Sequence, residues 1–147
     1  GTWKSSALAA KFFEVSGTLI EHIDYYELEQ FVDLIRVLAD KSTDLAVECL
    51  ALGKVTLPGI TGDRSAFIRL SRTVAKTNWR EVKSCFDSIQ TIQAHIQETQ
   101  RSKFLKIAEL MAQVNTPQFA LFLNESASSL GRVDGNTQEN LLNMNLN

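Results

Sequence analysis

The stretch FVDLIRVLAD at residues 31–40 recurs twice without gaps, as FIRLSRTVAK at 67–76 and as FLKIAELMAQ at 104–113. The spacings are 36 and 37 residues. Phe31, Leu34, Leu38 and Ala39 match Phe67, Leu70, Val74 and Ala75, then Phe104, Ile107, Met111 and Ala112. Apolar residues at i, i+3 and i+7 lie on one face of a helix, so each copy reads as an amphipathic helix with a buried stripe. A second helix type follows each copy: DLAVECL (44–50), REVKSCF (80–86) and QFALFL (118–123). A further copy of this second type, LAAKFFEVSGTLIEHI (8–23), precedes the first.

Two helix types alternating at a period of about 36 residues predict an all-α fold. The expected form is a short right-handed α-solenoid of about three and a half helix pairs, each pair burying its face on the next. A closed helical bundle is the alternative, since the same stripes can also meet around one centre. Helices are expected near 4–22, 26–40, 43–57, 64–76, 79–96, 101–114 and 117–131. Asp24–Glu27 and Asn78–Glu81 have the spacing of a capping box. Pro117 suits a helix start, and LPGITGD (57–63) breaks the chain between two helices. Residues 1–135 read as one repeat domain, with NTQENLLNMNLN (136–147) as a polar tail or the start of a further helix.

The composition fits this reading: 147 residues, 44% hydrophobic and 22% charged, with two prolines and seven glycines. Few breakers favour long helices. No apolar run approaches the roughly 20 residues of a membrane span, and no secretory leader pattern is present. Two cysteines provide no disulfide framework, which points to a reducing, cytoplasmic setting. The chain opens Gly1-Thr2-Trp3 without a methionine, as expected of a fragment cut from a longer protein.

Two cysteines and two histidines raise the question of a metal or redox site. In the repeat register Cys49 and Cys85 are one position, held by Phe12 and Phe122 in the other copies. A site that phenylalanine fills elsewhere is a core site, and an unpaired cysteine there behaves as a small hydrophobe. Equivalent positions on neighbouring helices lie about 8–10 Å apart, beyond the reach of a disulfide. His22 and His95 are likewise equivalent and stand two repeats apart, about 16–20 Å, too far to share an ion. No metal site, cofactor site or catalytic residue is therefore expected. No phosphate loop, nucleophile elbow or zinc motif appears, and carboxylates such as Glu27, Glu29, Asp40 and Asp44 suit helix caps and solvated faces.

Charge is uneven along the chain. Residues 1–50 hold nine acids against four bases, and residues 51–112 hold ten bases against five acids. Within the basic half, Arg69, Arg72 and Lys76 fall at i, i+3 and i+7, and Arg80 and Lys83 follow on the next helix. Such a stripe is the candidate partner-binding site, together with Trp79, which either staples the turn or stands out as an anchor. A protein partner is the first expectation. A nucleic acid held by phosphate contacts is the second, weakened by a net charge of −2 and by only one interleaved aromatic.

Three pieces, AAKFFEVSGTLIEHID (9–24), LADKSTDLAVECL (38–50) and VAKTNWREVKSCF (74–86), resemble a known family. They are similar to the helical repeats preceding von Willebrand factor A domains in nitric-oxide-reductase activation proteins and Rubisco-activase adaptor subunits, which work with MoxR-type AAA+ ATPases. The resemblance spans residues 9–123 on small and apolar positions. Gly17 stands where that pattern has proline, and Asn78-Trp79 where it has Ser-Trp. It implies a non-catalytic adaptor joining an ATPase ring to its client, and no functional residue transfers with it.

Overall fold

A computed structural model describes residues 5–130. They form seven helices: α1 (Ser6–Leu19), α2 (Tyr25–Lys41), α3 (Thr43–Gly59), α4 (Arg64–Thr77), α5 (Val82–His95), α6 (Glu98–Val114) and α7 (Thr116–Leu130). A 3-10 turn, Trp79–Glu81, leads into α5. The expected tail over 136–147 and the boundary at 135 lie outside the described residues.

Packing runs between alternate helices. One layer stacks α2 on α4 and α4 on α6; the other stacks α1 on α3, α3 on α5 and α5 on α7. The layers are joined within the pairs α2/α3, α4/α5 and α6/α7. A closed bundle would bring the first helix back to the last, whereas α1 packs chiefly on α3. The described residues therefore form a repeat-like stack, one helix followed by three pairs.

Local chemistry sets the joints. Ser42 alone links α2 to α3, ending one helix while its Oγ accepts from Leu45 N at 3.2 Å to start the next. Asn115 does the same between α6 and α7, its side chain accepting from Gln118 N at 3.2 Å. Such short links fold the chain back on itself, which is why α2/α3 and α6/α7 pair locally. The Asp24–Glu27 capping box is complete, at 2.7 Å from Glu27 N and 3.0 Å from Asp24 N.

The box expected at Asn78–Glu81 does not form. Asn78 closes α4 by donating its N–H to Val74 O at 2.7 Å, and the chain then turns through the 3-10 segment. There Glu81 N bonds the Asn78 carbonyl at 2.9 Å, so the side chain is left without a capping role. The expected break at 57–63 is also shorter than its sequence implies. Helix α3 carries Pro58 in its last turn and runs to Gly59. The turn that follows depends on Gly62, whose φ of +96° is strained for any residue with a side chain. A Cβ there would also lie 2.9 Å from Ser102 N at the start of α6.

The matched residues fill the core. Phe31, Phe67 and Phe104 are all fully buried, each meeting its own pair in a different way. Phe67 meets Phe86 edge-on at 5.0 Å, and Phe104 stacks on Phe122 at 5.8 Å. Phe31 instead lies against the backbone at Gly53, where an added Cβ would come within 2.3 Å of its ring. Each such ring contributes on the order of 2–3 kcal/mol by leaving water. Ile23, Ile60 and Ile96, one per repeat, close the core at the helix ends.

Candidate interaction surface

The six residues singled out in the sequence do not form one stripe. Arg69, Arg72 and Lys76 project from α4, in the α2/α4/α6 layer. Lys83 projects from α5 in the other layer, and Trp79 and Arg80 sit on the turn between them. A stripe drawn along the sequence is cut where the chain crosses from one layer to the other.

Their charges are also differently engaged. Arg69 makes a bidentate pair with Glu109 of α6, at 2.5 and 3.2 Å, and has Asp63 at 4.0 Å. The Glu109 hydrogen bond, followed by the charges around it, holds this guanidinium protonated beyond its ordinary range. Lys83 lies 3.5 Å from Glu48 of α3. Arg80 lies over the Trp79 ring at 4.2 Å from its centroid, a cation–π contact, while Trp79 is half-buried against the core. Trp79 thus staples the turn. Arg72 and Lys76 remain as exposed cations on α4.

Sequence reasoning did not find the carboxylates that answer these bases, because Glu109 stands 40 residues from Arg69 and meets it only through α4–α6 stacking. It also missed two arginines at one repeat position. Arg64 donates from Nε to Leu57 O at 2.8 Å and from Nη1 to Glu27 Oε1 at 2.8 Å. Arg101 donates from Nε to Ile96 O at 3.3 Å and from Nη1 to Thr61 Oγ1 at 2.6 Å. Each caps the helix before it and reaches back into the preceding repeat. Arginine following a helix end at a fixed period was the available signal.

Cys49 and Cys85 are buried and free, as the repeat register implied. Burial pushes both thiols up to about 12, so neither is a thiolate near neutral pH. His22 and His95 are exposed. Among the described residues no three His, Cys, Asp or Glu side chains come together as metal ligands.

A cavity of about 220 Å³ opens between the ends of α3 and α5, lined in part by Thr56, Ile60, Gln93 and Arg101. Thr56 and Gln93 are buried at positions where other copies carry Leu19 and Ile92, and Ile20 and Leu57. Neither the Thr56 hydroxyl nor the Gln93 amide has a hydrogen-bond partner within the described protein. No helix among the described residues is long and apolar enough to cross a membrane. The chain matches no protein-family model, no curated protein and no solved structure.

Proposed function

We propose that this chain is a non-catalytic helical-repeat scaffold that binds another protein in the cytoplasm, using the solvent face of the α2/α4/α6 layer around Arg72 and Lys76. The observation that carries this reading is the mixed sign of that face. In the repeat register Asp33, Arg36 and Asp40 of α2 stand beside Arg69, Arg72 and Lys76 of α4. A ridge of mixed charge next to a basic one complements a protein surface that itself carries both signs. A polyanion laid along α4 would meet the carboxylates of Asp33 and Asp40 on the α2 side, which opposes phosphate binding there, although Lys106 of α6 stands beside Arg69 on the other side. The resemblance of residues 9–123 to adaptor repeats carries the proposal one step finer, to a link between a MoxR-type AAA+ ATPase and its client.

The test compares wild type with the Arg72→Glu/Lys76→Glu double variant as bait. A protein retained by wild type, depleted at least tenfold by the variant and bound again as a purified pair supports the proposal. Equal retention by both baits removes this face from binding. Retention of DNA or RNA that weakens steeply with salt replaces the protein partner with a nucleic acid.

A further inference from the structure

Two buried residues of the cavity between α3 and α5 depart from the repeat that builds the rest of the core. Thr56, 2% exposed, stands where α1 and α5 bury Leu19 and Ile92; Gln93, 6% exposed, stands where α3 buries Leu57. Each exchange puts a polar group into the core, which costs stability unless that group is hydrogen-bonded. Neither is bonded within the described protein. Thr18, Thr73, Thr77, Thr91 and Thr116 each donate to the carbonyl four residues back, whereas the Thr56 hydroxyl does not. Both departures line one cavity, of about 220 Å³.

Arg101, at the start of α6, lines the same cavity with a charge that no carboxylate meets among the described residues. Its match, Arg64, pairs with Glu27 at 2.8 Å. The residue that matches Glu27 for Arg101 is Asp63, one methylene shorter, which caps α4 through Ala66 N and lies 4.0 Å from Arg69. The Arg101 guanidinium donates instead to Ile96 O and Thr61 Oγ1, neither of them charged.

We infer that this cavity is a binding site for a small carboxylic acid that carries a carboxamide at its other end. The carboxylate pairs with Arg101, and the carboxamide exchanges hydrogen bonds with the Gln93 amide and the Thr56 hydroxyl. The carbons between them lie on Val55 and Ile60, the apolar part of the lining. A primary amide is donor and acceptor at once, so it matches a second amide with two bonds. A carboxylate on a guanidinium makes the stronger, charge-assisted kind of bond. The volume falls below the roughly 300–1,000 Å³ of sites for drug-sized molecules, which keeps the occupant small. The cavity lies in the α1/α3/α5/α7 layer, away from Arg72 and Lys76, and the inference does not rest on the protein-binding reading.

The test titrates the whole chain with succinamate and follows its backbone amide NMR shifts. Two further probes of the same shape each lack one group: succinamide has no charge, and 4-methylpentanoate has no amide. Saturable shifts centred on residues 55–60, 90–94 and 101 are expected with succinamate, with binding at least tenfold weaker for each of the other two. Gln93→Leu should reverse one preference, taking 4-methylpentanoate over succinamate, while still preferring succinamate to succinamide. Arg101→Gln should erase the preference for succinamate over succinamide. Leucine already fills the matching place at Leu57, so Gln93→Leu should fold as wild type does, and a reversed preference is not something unfolding can produce. No saturable shifts with succinamate, shifts centred away from the cavity, equal binding of the three probes, or an unchanged order of preference in Gln93→Leu each overturn the inference.

Discussion

Arg64 and Glu27, 37 residues apart in the chain, meet at 2.8 Å with both side chains largely withdrawn from water. The same Glu27 oxygen accepts from Asp24 N at 3.0 Å, and the same guanidinium donates to the Leu57 carbonyl at 2.8 Å. One ion pair thus ties the start of α2, the end of α3 and the start of α4. Removing Arg64 leaves a half-buried carboxylate and a helix-end carbonyl short of a partner. Arg64→Ala should cost about 2–3 kcal/mol, above the median for a surface pair. A double-mutant cycle with Glu27→Gln should return a coupling of about 1 kcal/mol in chemical unfolding. Lys83 and Glu48, both half exposed, should couple by less than about 0.5 kcal/mol in the same measurement.

Gly53 and Gly17 should respond to alanine with opposite signs. At Gly53 a Cβ meets the buried ring of Phe31, and overpacking of this kind costs about 1–3 kcal/mol. At Gly17, inside α1, nothing lies within 4 Å of the added atom. Gly17→Ala should stabilise by about 0.5–1 kcal/mol through helix propensity and a less flexible unfolded chain. Thermal melts of the two variants decide it, and Phe31→Leu should recover part of the Gly53→Ala loss.

The buried thiols make stability fall at alkaline pH. Unfolded cysteine ionises near about 8.5, whereas the native thiols are pushed up to about 12 by burial. Between those values the unfolded state binds fewer protons than the native state, so stability falls as pH rises, by up to about 1.4 kcal/mol per pH unit for each thiol. Below that window the contribution is fully present. Replacing both cysteines with alanine should lower stability at pH 7 and flatten this alkaline slope, read from urea midpoints at pH 8 to 10. Thiol reagents should label native Cys49 and Cys85 slowly at pH 7, and rapid labelling of both would contradict their burial.

Gln93 holds a core position with an amide that has no partner within the described protein. Leu57 fills the same register position in the preceding pair. Gln93→Leu should therefore raise stability by about 1 kcal/mol, because an unpaired buried amide costs more than an apolar side chain of similar size. A lower melting temperature for this variant would show that the amide is satisfied in solution.

How much of this was legible in the residues differs from feature to feature. Phe31, Phe67 and Phe104 recur at a helical spacing, and that spacing alone identifies both the face and the repeat. The Asp24 box was legible because both of its bonds lie within one turn. The identical spacing at Asn78 misled, since that residue is also the joint to a 3-10 turn set by the packing of α4 on α5.

The order of apolar residues therefore determined by itself that this chain is helical, where its helices run and which residues each one buries. These are local properties, written in a 3.6-residue period and in side chains that cap their own helix. The tertiary stack decided which charges meet and which of the basic residues stay exposed. Arg69 finds Glu109 across 40 residues only because α4 lies on α6. Pairing and exposure depend on which helices are neighbours, and a periodic pattern repeats the same face without naming what stands against it.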